Sequence, residues 1–268
     1  MAFIHNKKGE LEWLTSPLLT AHGVTHCFTT RRGGVSEGCY SSLSFRTHCD
    51  DTRENLIENY RRISDACGFD AEKAVLCRQV HGTRVYKVTA DDAGKGFYRE
   101  NDFGDADGLM TKEKHIPLIC FMADCVPILL YDSITGACAA VHSGWRGTAG
   151  AIAVRAIEEM NGQYGTKAEN IVAAIGPSIG QCCFEVGHEV RDAFDQELHF
   201  AFKDNARGRL MCDLWAINTR LLEKAGVKSE NIDVARECTA CNGELYFSHR
   251  ATMGKRGNML AAILATDK

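Results

Sequence analysis

The sequence predicts a single α+β domain of mixed, largely antiparallel sheets flanked by helices. Three observations carry that expectation. Short apolar runs of strand length recur along the chain. Two of them are joined by Asp132–Gly136, DSITG, a stretch with hairpin-loop chemistry, so neighbouring strands run antiparallel. Other strands stand between helical segments without the regular alternation of a doubly wound parallel sheet. No repeat, low-complexity tract or Pro/Ser-rich linker divides residues 1–268, and the chain has only four prolines, so one continuous domain is expected.

Taken in order, Leu11–Trp13 and Val24–Thr29 read as short strands, and the polar, glycine-rich Arg31–Gly38 as a loop. Asp51 is placed to cap a helix beginning near Thr52. Leu56, Tyr60, Ile63 and Cys67 recur at helical spacing on one face, and Gly68 ends it. Val75–Val80 reads as a strand leading into His81. Ile116–Met122, Ile128–Tyr131 and Ala137–Val141 are strands, and Gly147–Met160 a helix with Ile152, Val154, Ala156 and Ile157 on its apolar side. Ile171–Ile175 is a strand that stops at Gly176-Pro177. Glu185–Phe194 and Leu214–Ala225 read as helices, and Ile232–Ala235, Glu244–Phe247 and Met259–Leu264 as late strands.

Of the 268 residues, 45% are hydrophobic and 25% charged, an ordinary globular balance. A net charge of −4 argues against a general nucleic-acid or anionic-membrane binder. No segment approaches the roughly 20 apolar residues that span a bilayer. The opening MAFIHNKKGELEWL has no signal-peptide core, which points to a cytoplasmic protein. Thirteen cysteines, odd in number and irregularly spaced, then read as reduced and mostly buried apolar residues.

The stretch Ala123–Gly147 carries the most chemistry. Cys125 follows one strand and precedes Val126-Pro127, where the chain must bend. His142 ends another and runs into Ser143-Gly144-Trp145-Arg146-Gly147. His81 sits upstream in the same setting, strand then His-Gly. Each alone has an ordinary structural reading. Together, three ligands at three strand ends match a zinc site with two nitrogens, one thiolate and an open position, or a thiolate–imidazole nucleophile. Glycines beside Arg146 permit close approach of a ligand, and the helix start that follows favours an anion.

Other motifs read as structural. Cys238-x-x-Cys241 could bind metal or act in redox chemistry, but without a second pair it reads as structural, and Cys182-Cys183 reads as packing ahead of a vicinal disulfide. Asp105-Ala106-Asp107-Gly108 lacks the remaining positions of a calcium loop and reads as a turn. Gly254-Lys255-Arg256-Gly257 offers backbone freedom and positive charge that could help bind phosphate, but it has the wrong glycine spacing for a P-loop and reads first as a solvated basic turn.

RQVHG around His81, ADCVPILLYD around Cys125 and VHSGWRGT around His142 closely resemble the YfiH/YlmD family of laccase-domain, or multicopper polyphenol oxidase, proteins. FTTRRGGVS, DADGLMT, IGPSIGQCCFEVG and the segment from Cys238 to Arg250 match as well, so the resemblance covers nearly the whole chain. It implies a cysteine-hydrolase-like α+β fold and a zinc ion held by His81, Cys125 and His142. It also implies purine nucleoside phosphorylase and adenosine deaminase activity, with a nucleoside and phosphate as small-molecule partners. Arg32, Arg146 and Arg250, each in a glycine-rich or strand-end segment, are the candidates for substrate or anion binding. No nucleic-acid or membrane partner is expected, and the chain is expected to be a monomer or homodimer. The oxidase label fits poorly. Three copper types need many histidines, whereas this chain has ten and no His-x-His, so copper (Cu2+) at the site is expected to be adventitious. Two rival readings remain: a hydrolase that edits peptidoglycan precursors through the same Cys/His pair, and a metal-stabilised binding module without catalysis.

Overall fold

The computed structural model describes residues 2–45, 47 and 50–267. The chain opens with β1 (Ile4–Lys8), β2 (Leu11–Thr15), a short helix α1 (Pro17–Ala21), β3 (Thr25–Thr29) and the long helix α2 (Arg53–Cys67). Next come β4 (Val75–Leu76), β5 (Val85–Lys87), β6 (Gly108–Thr111), β7 (Leu118–Met122), β8 (Val126–Asp132) and β9 (Cys138–Ser143). Helices α3 (Trp145–Ala149) and α4 (Ile152–Tyr164) lead to β10 (Ile171–Ile175), β11 (Glu185–Val186) and α5 (His188–Arg191). The chain closes with β12 (Phe202–Asp204), β13 (Leu210–Cys212), α6 (Leu214–Lys224), β14 (Ile232–Val234), α7 (His249–Thr252) and β15 (Met259–Leu264).

These strands form two six-stranded sheets and a small third one. The first sheet has the order β1-β2-β3-β15-β7-β4 and the second β14-β10-β8-β9-β6-β5, while β11-β13-β12 stands apart. Pairing is antiparallel except for β4 with β7, β10 with β14 and β5 with β6. The expected mixed, mostly antiparallel class is therefore what the chain adopts.

Side-chain alternation builds the layers. On β7, Leu118, Cys120 and Met122 face one core, together with Met259, Ala261 and Ile263 of β15. Leu129 and Tyr131 of β8 and Cys138 and Ala140 of β9 join them from the second sheet. This core lies between the two sheets. Ile119, Leu260 and Ala262 face the other way, onto Leu56, Tyr60 and Ile63 of α2. Val126, Ile128 and Leu130 of β8 pack against Ile152, Ala156 and Ile157 of α4 and Ile217 of α6. The result is helix, sheet, sheet, helix. Both central strands are buried on both faces, so they read as continuous apolar runs. The β8–β9 loop is closed by Asp132, whose carboxylate accepts from Ile134 N, Thr135 N and Thr135 Oγ1.

Several boundaries differ from expectation, each for a local reason. Thr52, not Asp51, caps α2: its hydroxyl accepts from Asn55 N, while Asp51 accepts from Thr52 N. The predicted helix 147–160 is two helices, because Ala151 takes a left-handed φ of 54° between α3 and α4. The predicted helix 185–194 begins as strand, since Glu185 and Val186 pair with β13. No strand forms at 244–247: Leu245 N and Tyr246 N both donate to Asn242 O, a turn. The strand into His81 ends at Leu76. Of the 12 described cysteines, only half are buried; Cys39, Cys182 and Cys241 are exposed, and no disulfide is present among them.

Candidate active site and metal centre

Asp107 organises the site. Its buried carboxylate accepts backbone amides from Val80 (3.1 Å), His81 (2.9 Å) and Gly82 (2.7 Å). These amides bond to a side chain and not to a sheet ladder, so residues 80–82 are held as a loop. His81 is held at a left-handed φ of 61°, projecting its ring from a tight loop. The same carboxylate accepts from His142 Nδ1 at 2.8 Å, and Asp107 O accepts from His142 N. A carboxylate only accepts, so Nδ1 carries a proton towards Asp107, and Nε2 is the ring nitrogen left to face Cys125.

The β8–β9 register pairs Pro127 with His142 and Val126 with Ser143, which sets Cys125 just beyond, beside Gly144. Asp124 takes a φ of 88° to aim the thiol inward. Its carboxylate accepts from Thr239 Oγ1 (2.6 Å), Ser248 Oγ (3.1 Å) and Arg250 N (2.7 Å), and its backbone carbonyl accepts from Ile179 N (2.9 Å). The Cys125 Sγ then lies 3.8 Å from His81 Nε2, and the two imidazoles meet edge to face at 5.0 Å between centroids. One ligand atom from each of His81, Cys125 and His142 lies within 4.8 Å of the others. Gly144 makes this approach feasible: a Cβ there would lie 2.9 Å from His81 Cδ2 and 3.1 Å from Cys125 Sγ.

Electrostatics favour the charged pair. Burial pushes the Cys125 thiol up, but His142 and His81 outweigh it and bring the group down to about 6. Burial likewise pulls His142 down, yet the Cys125 thiolate and Asp107 raise it to about 9. Asp107 is held below the usual carboxylate range: burial opposes its charge, but His142 and the loop amides overcome that. The trio therefore supplies a thiolate and two imidazoles, a donor set able to hold a metal or to act as an oriented nucleophile. It opens onto a cavity of about 870 Å³, whose lining includes Phe97, Tyr98, Phe121, Arg78, Arg99 and Arg256.

Comparison with known proteins shows the family of the chain. The family model described as multi-copper polyphenol oxidoreductase laccase matches residues 25–266. The chain belongs to that family. It is 36% identical over 259 residues to purine nucleoside phosphorylase YlmD of Geobacillus stearothermophilus, covering 94% of this chain and 93% of the relative. It is also 36% identical over 232 residues to adenosine deaminase RL5 of an unknown prokaryotic organism, covering 83% and 87%. Among solved structures, the Bacillus licheniformis hypothetical protein YfiH superposes with a TM-score of 0.90 at 32% identity, covering 98% and 99% of the two chains.

Within this laccase-family chain the expected ligands His81, Cys125 and His142 converge, while the three expected arginines lie outside the cavity lining. Arg32 reaches Glu12 and the carboxylate of Glu244, and donates to Glu244 O. Arg146 lies over the Trp145 ring at 4.2 Å. Arg250 donates to Cys183 O and Glu185 O. Two motifs read as plain turns do more than that. Asp107 of the DADG stretch is the centre of the hydrogen-bonded loop, and Arg256 of the GKRG stretch lines the cavity. Only an acid beside a strand signals the first in sequence, and positive charge between two glycines signals the second. No helix among the described residues is long and apolar enough to cross a membrane.

Proposed function

We propose that this protein is a zinc-dependent purine nucleoside phosphorylase that also deaminates adenosine. The observation that carries the reading is the convergence of His81, Cys125 and His142 at a large cavity, in a chain similar to proteins named for both activities. The donors fit zinc. Tetrahedral bonds of about 2.3 Å to sulfur and 2.0 Å to nitrogen place those atoms about 3.5 Å apart. The Cys125 to His81 separation of 3.8 Å is close to that value. When bound, zinc supplies Lewis-acid polarisation beside one open coordination position. The same soft donors take up copper readily, so copper found in a preparation is not a sign of oxidase chemistry.

The chain's own residues do the rest. Phosphorolysis joins a phosphate oxygen to C1′ and breaks the bond from C1′ to the purine nitrogen, whose electron pair leaves with the base. Arg78, Arg99 and Arg256 of the cavity carry the phosphate in this proposal, ahead of Arg32, Arg146 and Arg250. Phe97, Tyr98 and Phe121 offer apolar ring surface to the purine. The buried Asn258 Oδ1, an acceptor with no hydrogen-bond partner, suits a purine N–H. Asp107 keeps His142 in one tautomer and orientation throughout.

A second reading has its own support. Cys125, His142 and Asp107 stand in the order nucleophile, base and orienting acid, which suits acyl transfer on an amide such as a peptidoglycan precursor. The deciding experiment gives the zinc-loaded protein inosine with phosphate, adenosine, and a muropeptide precursor carrying serine. The expected products are hypoxanthine with ribose 1-phosphate from inosine, and inosine from adenosine. Both should vanish in Cys125→Ala together with the metal held by His81, Cys125 and His142. Normal turnover in that variant, or product from the muropeptide alone, overturns the proposal.

A further inference from the structure

Four cysteines outside the active site meet at one point. β10 and β14 are parallel neighbours, and the pairing continues past their ends as a bridge between Ser178 and Cys238. The two chains therefore leave the sheet side by side. One turns through Gly180 to Cys182 and Cys183; the other turns from Cys238 to Cys241. One sulfur from each of the four lies within 4.8 Å of the others. Cys241 Sγ is 3.5 Å from Cys182 Sγ and 3.4 Å from Cys183 Sγ. Sulfurs on a tetrahedral zinc at about 2.3 Å stand about 3.8 Å apart. The second pair that the Cys-x-x-Cys motif lacks in sequence is the adjacent Cys182-Cys183, supplied by the fold.

We propose that Cys182, Cys183, Cys238 and Cys241 form a second, structural zinc site with four thiolate ligands. A disulfide is the competing explanation and uses the cluster poorly. Cys241 is almost equally close to two partners and can bond only one, leaving two thiols crowded against it. One zinc ion uses all four at once. The backbone is arranged for a thiolate: Gly180 N donates to Cys238 Sγ at 3.2 Å, the N–H to sulfur contact that supports charge on a ligating thiolate. Gly180 is also the residue that fits, since a Cβ there would sit 2.8 Å from Trp215, 3.2 Å from Cys238 Cβ and 3.3 Å from Cys182 Sγ.

The site has a use in the fold. Closed by four ligands, it leaves no position for substrate and acts as a rivet between residues 178–183 and 238–241. Those two segments hold the loop that carries Cys125. Ile179 N donates to Asp124 O, Thr239 Oγ1 donates to Asp124 Oδ1, and Arg250 ties Cys183 O to the Asp124 carboxylate. Zinc at the four cysteines thus fixes the entry to the catalytic thiol without touching it.

Metal analysis of the full-length protein, purified anaerobically in reducing buffer, tests this independently of any activity. The wild type should bind about two zinc ions per chain, and Cys125→Ala about one. The paired exchange Cys182→Ser with Cys241→Ser, both exposed positions, should remove the other while the His81 site stays loaded. Cobalt(II) in Cys125→Ala should give the intense charge-transfer and visible bands of a tetrathiolate ion. About one zinc in the wild type, lost entirely in Cys125→Ala, overturns the site even if the double variant does not fold. A disulfide from Cys241 to Cys182 or Cys183 in the anaerobic protein, found by peptide mapping, overturns it equally.

Discussion

At the scale of single residues, the informative group is Asp107, which binds three loop amides and one imidazole with a single carboxylate. It converts two histidines far apart in sequence into a rigid pair. The consequence is testable on the metal-free protein. Cys125 is depressed to about 6, so its stabilising charge is present above the ordinary cysteine pKa and is lost as pH falls through about 6. His142 is raised to about 9, so its contribution is present below the ordinary histidine pKa and is lost as pH rises through about 9. The two describe one thiolate–imidazolium pair, which is fully formed between those limits. Alkylation of Cys125 by iodoacetamide, followed by peptide mass spectrometry on metal-stripped protein, should show a midpoint near 6. His142→Gln should shift that midpoint upward, towards the ordinary thiol. A wild-type midpoint at about 8.5, the value of an unperturbed cysteine, would contradict the geometry.

At the scale of elements, the junction of β9 and α3 does two jobs. His142 stands one residue before the end of the strand, on the face shared with Cys138 and Ala140, and Gly144 caps the helix beside the other two ligands. Gly144 has an extended backbone that any residue adopts, with φ −65° and ψ 169°, so its requirement is space alone. Gly144→Ala should keep the fold, as judged by circular dichroism, yet displace the His81 ring. Metal affinity should drop on the order of 10-fold or more, as when the support of a ligand is lost. Competition with a chromophoric chelator measures it, and unchanged affinity would show that the ligand cluster is looser than described. The helices taught a separate lesson: α2 was legible from its apolar face, but its cap shifted by one residue because Thr52 and Asp51 are both competent caps.

At the scale of the whole molecule, stability rests on the core trapped between the two large sheets. Leu129 faces that core from the second sheet and is fully buried there, opposite strands of the first. Leu129→Ala should cost about 2–5 kcal/mol and lower Tm on the order of 10 °C. Ile134, 74% exposed in the β8–β9 loop, serves as control, and its replacement by alanine should stay within about 0.5 kcal/mol. Equal effects at the two positions in thermal denaturation would refute the layered arrangement.

The sequence by itself determined the class of the fold, the central strands and three metal-ligand candidates. Those properties follow from local chemistry: apolar period, turn composition, and cysteine or histidine beside glycine. Tertiary structure alone decided which groups act together. The carboxylate of Asp107 serves the loop at residues 80–82, and Arg256 reaches a cavity also lined by residues near 78 and 99. Cys182 and Cys183 meet Cys238 and Cys241 because β10 and β14 run parallel and exit together. Strand pairing brings residues more than fifty positions apart into contact, and no periodicity within a segment records which strand will lie beside which.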